Sequence, residues 1–165
     1  MDEPELQPIS MDLWRADRDA FARAFVESFQ TFGFAVVSDH GLDQGVIDRS
    51  VAAARAFFAQ PDERKRAWCV PGQAGARGYT PFGVETAKGG KAPDLKEFWH
   101  VGRDLPAGHP NARVMPENLW PEAPATFRPA VSGLYQALDA FGVELLAATA
   151  LGLGLPADWF ADKTG

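Results

Sequence analysis

The stretch Phe29-Gln30-Thr31-Phe32-Gly33-Phe34-Ala35-Val36-Val37-Ser38-Asp39-His40-Gly41-Leu42 contains the change of period on which the fold turns. Upstream of it, Phe21, Phe25 and Phe29 recur every four residues, and Phe32 follows three further on. That spacing puts an aromatic stripe on one face of a helix running from Asp17 to Phe32, and the stripe reads as core packing. Asp17 or Asp19 serves as its N-cap. Gly33 stops the helix, and the apolar, partly β-branched run Phe34 to Val37 reads as a buried strand. Ser38-Asp39-His40-Gly41 then supplies a turn, in which His40 hydrogen-bonds the backbone.

Working outward, Asp43 caps a second helix from Gln44 to about Gln60, whose apolar face is Ile47, Val51, Ala54 and Phe58. Pro61-Asp62-Glu63-Arg64 begins a short helix, and Arg64-Lys65-Arg66 reads as its solvated end. From Val70 to Pro93 the glycines and prolines forbid a long regular element, and a loop of that length is functional or mobile. Leu95 to Val101 favours a strand, and Asp104 to Pro124 is again loop, broken by Pro106, Pro110, Pro116, Pro121 and Pro124. Phe127, Val131, Leu134, Leu138, Phe141, Leu145 and Ala148 form the seam of a long amphipathic helix that ends at Gly152 and Gly154. Pro156 to Phe160 adds one further turn.

The expected fold class is therefore α+β, with about four helices, including the long amphipathic one, and two convincing strands within a single domain spanning 1–165. Two isolated strands make a marginal sheet, and their open edges need covering. They read as parts of a larger sheet that these residues do not supply.

The 165 residues are 46% hydrophobic and 23% charged, the balance of a globular domain rather than a disordered one. A formal charge of -6 argues against non-specific nucleic-acid binding, which relies on a basic surface to displace counterions. The single cysteine, Cys69, cannot close an internal disulfide and reads as an inert, partly buried thiol. No apolar run approaches the roughly 20 residues that span a bilayer. The acidic, proline-bearing start is unlike a signal peptide, so a cytoplasmic protein without membrane contact is expected.

Familiar catalytic marks are missing. His40, His100 and His109 are the only histidines, and none sits in a His-x-Asp/Glu pattern or at zinc spacing. There is no Gly-x-Ser-x-Gly elbow, phosphate loop or Gly-x-Gly-x-x-Gly turn between a strand and a helix. In Arg77-Gly78-Tyr79-Thr80-Pro81, Arg77 either pairs a carboxylate bidentately or is a solvated loop arginine.

The order of these signals resembles the N-terminal region of the isopenicillin N synthase-like Fe(II)/2-oxoglutarate-dependent dioxygenases. The quoted stretch from Phe29 to Leu42 is similar to that family's Gly-Phe…His-Gly segment, and Ala56-Phe57-Phe58 to Pro61-Asp62-Glu63-Arg64-Lys65 to its Phe-Phe-x-Leu-Pro-x-Glu-x-Lys helix end. Arg77-Gly78-Tyr79 resembles its Gly-Tyr loop, Asp94 to His100 its Asp-x-Lys-Glu strand, and Asn118-Leu119-Trp120-Pro121 its Asn-x-Trp-Pro element. The resemblance implies that the strands extend the sheet of a double-stranded β-helix (jelly-roll) core lying outside this chain. It implies no catalytic and no metal-binding residue here, because the family's His-x-Asp, distant His and Arg-x-Ser have no matching positions. Arg77 and Tyr79 match positions that reach the substrate in some members, so they are the candidate substrate-binding residues.

The resemblance also implies that this segment binds no cofactor itself, while the full-length protein uses Fe(II) and 2-oxoglutarate, or Fe(II) with direct oxygen reduction, on a small-molecule substrate. The expected partner is the missing C-terminal jelly-roll domain or a second copy of the chain, not nucleic acid or membrane. A stand-alone, non-catalytic module that pairs its strand edges with a partner is the alternative. A small self-sufficient enzyme using Arg77, Asp94 or Glu97 as acid and base is a third reading. If the strands lack partners, Val36, Phe98 and Val101 stay wet, each forfeiting roughly 1.5–3 kcal/mol against a typical net stability of about 5–15 kcal/mol. The chain prepared alone is then expected to dimerise, exchange strands or be partly disordered. Light scattering and amide NMR dispersion check this, and a rigid, well-dispersed monomer counts against it.

Overall fold

Ser10 begins the regular structure, because its Oγ accepts the Asp12 N–H at 3.1 Å and so caps helix α1, Met11–Ala16. Asp17 ends that helix and starts the next, accepting the Ala20 N–H at 2.9 Å as N-cap of α2, Arg18–Phe32. Gly33 closes α2 in the left-handed conformation, its N–H reaching the Phe29 carbonyl at 2.9 Å. Ser28, buried on α2, donates its hydroxyl to the Phe34 carbonyl at 2.9 Å and holds the turn that follows. The computed structural model describes residues 5–72, 75–86, 88–90 and 92–163. Gln73, Ala74, Ala87 and Lys91, within the glycine-rich loop of the sequence reading, lie outside the described residues.

The chain divides into two units, 1–44 with 136–165, and 45–135. In the first, strand β1 (Ile9–Ser10) pairs parallel with β2 (Val37–Ser38), Ile9 opposite Val37 and Ser10 opposite Ser38. Its core gathers Met11, Trp14, Phe21, Phe25 and Ala148, with Phe21 stacked on Phe25 at 5.6 Å and Trp14 set edge-on to Phe21 at 5.6 Å. Ala148 comes from the C-terminal part of the long helix α5, Phe127–Gly152. That helix ends in a Schellman pair, Leu155 N–H to Ala150 at 2.8 Å and Gly154 N–H to Leu151 at 2.9 Å.

The second unit holds α3 from residue 45 onward (Gln44–Phe58), α4 (Asp62–Arg66), β3 (Gly78–Thr80), β4 (Phe98–His100), a 3-10 turn at Pro110–Arg113 and the first turns of α5. Strands β3 and β4 are antiparallel, with Tyr79 opposite Trp99. Phe57 lies at the centre of an aromatic core, with ring centroids 4.9 Å from Trp99, 5.2 Å from Phe127 and 6.0 Å from Tyr79. Ser50 joins α3 to α5 by donating its hydroxyl to the Ala130 carbonyl at 2.7 Å.

The α+β class holds, with five α-helices and few strands among the described residues. Several local expectations are corrected. The two strands are not lone: β2 finds β1 and β4 finds β3, each pair a separate two-stranded sheet. Both partners are too short to show a period in the sequence. The expected strand at Phe34 to Val37 shifts to Val37–Ser38, leaving Phe34 and Val36 exposed, and the one from Leu95 to Val101 contracts to Phe98–His100 with Leu95 out in solvent. Phe98 and Val101, expected wet, are half-buried.

The aromatic stripe of α2 buries only its first half, for Phe29 is 47% exposed. In α3 the buried face is Ser50, Ala53 and Phe57 rather than Val51 and Ala54, because the aromatics of the β3–β4 pair claim Phe57. Against the expectation that no apolar run approaches a bilayer's span, helix α5 is long and apolar enough to cross one by length and composition, at a mean hydropathy of 1.2. Leu138 and Val143 are exposed along it, while Phe127 and Ala148 are buried in the two cores.

Truncating the centre of the aromatic core should be costly. Phe57→Ala is expected to lower unfolding free energy by about 3–5 kcal/mol in urea titration, while Leu95→Ala stays within about 0.5 kcal/mol. Equal effects of the two substitutions would show that the aromatic cluster is not what holds this unit.

Candidate functional site

The short strands β3 and β4 carry most of the chemistry in the second unit. Period two along β4 puts Glu97 and Trp99 on the face that Tyr79 shares across the ladder. Gly78, just before Tyr79, adopts φ +76, and a Cβ there would stand 2.6 Å from the Trp68 carbonyl and 2.9 Å from Leu119 Cδ1. Only glycine fits between these neighbours, and the fit allows the Tyr79 N–H to reach the same Trp68 carbonyl at 3.1 Å.

One carboxylate oxygen organises this face. Glu97 Oε2 accepts from Lys65 Nζ at 2.7 Å and from the Tyr79 hydroxyl at 2.5 Å. Lys65 Nζ also lies 3.1 Å from Asp62 and 5.6 Å over the Tyr79 ring. Tyr79 is 2% exposed and Lys65 5%. Burial first, and then the hydrogen bond to Glu97, pushes the Tyr79 phenol up to about 12. The Glu97 hydrogen bond holds the Lys65 ammonium above the ordinary lysine range, against the pull of burial.

Lys65 therefore corrects the reading of Arg64-Lys65-Arg66 as a solvated helix end. Its two neighbours are exposed, and the helix turns the middle cation inward. The signal that finds Glu97 is its place two residues before Trp99 on the buried face of β4. Nothing in the local sequence singles out Lys65 from the arginines on either side.

The two candidate substrate residues are held by different partners. Tyr79 lines a cleft of about 340 Å³ with Cys69, Val70, Pro71, Thr80 and Val84 among its walls. Arg77 donates from Nη1 to the Ala76 carbonyl at 2.6 Å, and its guanidinium lies against Gly102. Its Nε is buried without an acceptor. No contact among the described residues joins Arg77, Asp94 and Glu97: Asp94 faces Lys96 at 3.4 Å, and Glu97 is taken by Lys65 and Tyr79. They do not form an acid–base set.

The histidines face backbone. His40 Nδ1 accepts the Leu42 N–H at 3.1 Å, as a turn histidine does, and its ring packs edge-on to Phe141. His109 Nδ1 accepts the Asn111 N–H at 3.1 Å and caps the 3-10 turn, and His100 Nδ1 faces the Gly75 carbonyl. Among the described residues no three His, Cys, Asp or Glu side chains converge as metal ligands. The residues present do not fit an iron centre with two histidines and a carboxylate.

The sequence pattern of a family described as "non-haem dioxygenase in morphine synthesis N-terminal" matches residues 6–123. This chain belongs to that family, the N-terminal region of the Fe(II)/2-oxoglutarate-dependent dioxygenases. It is 32% identical over 135 residues to the 2-oxoglutarate-dependent dioxygenase caaD of Aspergillus niger, covering 81% of this chain and 42% of the relative. It superposes on a 2OG-Fe(II) oxygenase family protein from Caulobacter crescentus with TM-score 0.86 and 48% identity, covering 94% of this chain and 51% of that one. A full-length Neurospora crassa protein in complex with alpha-KG, 23% identical with TM-score 0.75 over 97% of this chain and 47% of that one, shares the fold. The chain thus spans about half the length of these relatives.

The hub has a pH signature. Below pH 10 the Tyr79 phenol is neutral folded or unfolded; above it the unfolded chain releases a proton that the folded chain keeps, so stability falls as pH rises toward 12. The loss reaches about 2–3 kcal/mol, and Lys65 adds a loss of the same sign above the ordinary lysine pKa. In a Tyr135→Phe variant, ultraviolet titration should show Tyr79 ionising near 12. Glu97→Gln should bring that value down and cost about 3–5 kcal/mol in unfolding. A Tyr79 midpoint near 10 in the unmodified hub would show that the phenol is not buried on Glu97.

Proposed function

We propose that this chain is the N-terminal scaffold and substrate-mouth segment of a non-haem Fe(II)/2-oxoglutarate-dependent oxidoreductase acting on a small molecule. The match of residues 6–123 to the N-terminal region of that family carries the proposal. The iron and 2-oxoglutarate belong, in this reading, to a jelly-roll domain outside the 165 residues. Iron held there would couple oxidative decarboxylation of 2-oxoglutarate by dioxygen to oxidation of the substrate.

The two-stranded sheets each keep open edges, and their partner in this reading is the jelly-roll domain's larger sheet. Arg77 takes the carboxylate of the substrate, and Tyr79 forms wall rather than hydrogen-bond donor, since its hydroxyl is committed to Glu97. Two facts support these roles: no described carboxylate pairs Arg77, and the Tyr79 ring lines the cleft.

The test is to express the reading frame through its own stop codon and follow succinate formation from 2-oxoglutarate with and without Fe(II). The expected result is iron-dependent succinate from the extended protein and none from residues 1–165. A frame that ends without a His-x-Asp, or an extended protein that makes no succinate, would sink the enzyme reading in favour of a strand-pairing module.

A further inference from the structure

The Arg77 guanidinium is a cation held in place without an anion. Its Nε–H is buried and meets no acceptor, Nη1 spends one hydrogen on the Ala76 carbonyl, and Nη2 makes no hydrogen bond to a described residue. Leaving a charged donor partly desolvated and unpaired is costly, so the group needs another reason to stay in position.

That reason is a shelf of backbone at Gly102. The guanidinium carbon and both terminal nitrogens lie so close over this residue that a Cβ would overlap them, with Nη1 at 2.8 Å. The shelf is itself clasped by a side-chain amide. Gly102 N–H donates to Asn118 Oδ1 at 2.8 Å, and Asn118 Nδ2 donates back to the Gly102 carbonyl at 2.7 Å. Asn118 thus satisfies both backbone groups of Gly102 as a neighbouring strand would. Asn118 Nδ2 also donates to Asp104 Oδ1 at 2.7 Å, so this carboxylate is spent on the clasp and not on the arginine.

We propose that Gly102 and Asn118 are positioning residues that hold Arg77 open as a receptor for the carboxylate of a small-molecule ligand. The inference rests on the proposed substrate role of Arg77 and adds the residues that make the role possible. A planar cation pinned by its neighbours has already lost the rotamer freedom that ion pairing usually costs, and its free terminal N–H groups match the two oxygens of a carboxylate. A larger residue at position 102 would lift the guanidinium off the shelf. Loss of the Asn118 amide would free the shelf itself.

The test follows the Arg77 Nε–H resonance in the full chain by nitrogen-15 NMR, assigned by its disappearance in Arg77→Lys. Succinate and benzoate are the probes, with benzamide and inorganic phosphate as controls. The expected result is a saturable shift with both carboxylates and none with benzamide. Gly102→Ala and Asn118→Ala should each weaken carboxylate binding by about tenfold or more, equivalent to at least about 1.4 kcal/mol. The Tyr79 phenol titration should stay unchanged in both, which shows that the hub is intact and separates a positioning role from general unfolding. If Gly102→Ala does not fold, Asn118→Ala decides alone. Undiminished binding in the variants overturns the shelf, and an equal response to phosphate overturns the carboxylate assignment. The titration needs neither iron nor turnover. Failure here with succinate still formed by the extended protein removes only this inference, whereas failure of both removes the reading beneath it.

Discussion

A single carboxylate oxygen, Glu97 Oε2, ties helix α4 to the β3–β4 pair. It stands just before β4, draws Lys65 inward from α4 and fixes the hydroxyl of Tyr79 on β3. Two-stranded sheets three residues long have almost no stability of their own, and the same polar groups on a bare strand pair would simply exchange with water. Here the polar hub and the aromatic core back each other. The Tyr79 ring that carries the hydroxyl also packs on Phe57, so the ion pair cannot loosen without disturbing the hydrophobic contacts. Conversely, the aromatic cluster keeps water from Lys65 and Glu97, which makes their attraction stronger and the loss of either partner more damaging.

In the proposed reading one stretch serves as both scaffold and mouth, and its two side chains are held by separate supports. Tyr79 is rigid because its two ends are committed, ring to core and hydroxyl to Glu97. Arg77, two residues earlier, is rigid for another reason, the backbone of Gly102 beneath it. A cation and an aromatic wall held by independent supports keep their spacing when one of them meets a ligand. The same logic accounts for Gly78 between them, where any side chain would collide with Trp68 and Leu119.

Much of the helical frame was legible in the chain. The four-residue aromatic spacing and Gly33 bracket α2 to within a residue, and the alternating four-three seam gives α5 along nearly its whole length. The family was legible too, from short segments in the right order. What escaped were elements too brief to have a period: β1 at two residues, β3 at three and α1 at six. The strands looked orphaned because their partners could not be seen. The buried face of α3 was read one position away, since Val51 and Phe57 are equally apolar and only the facing aromatics choose between them.

The amino-acid order alone therefore determined where helices start and stop, because caps, glycines and apolar spacing act over a few residues of chain. Tertiary structure alone decided which of three consecutive cations goes inside, which acid receives it, and which glycine becomes the seat of an arginine. Lys65 and Glu97 are thirty-two residues apart, and Arg77 and Gly102 twenty-five. Contacts at that separation leave no mark on local pattern, because their energy arises only when distant segments meet and shut out water.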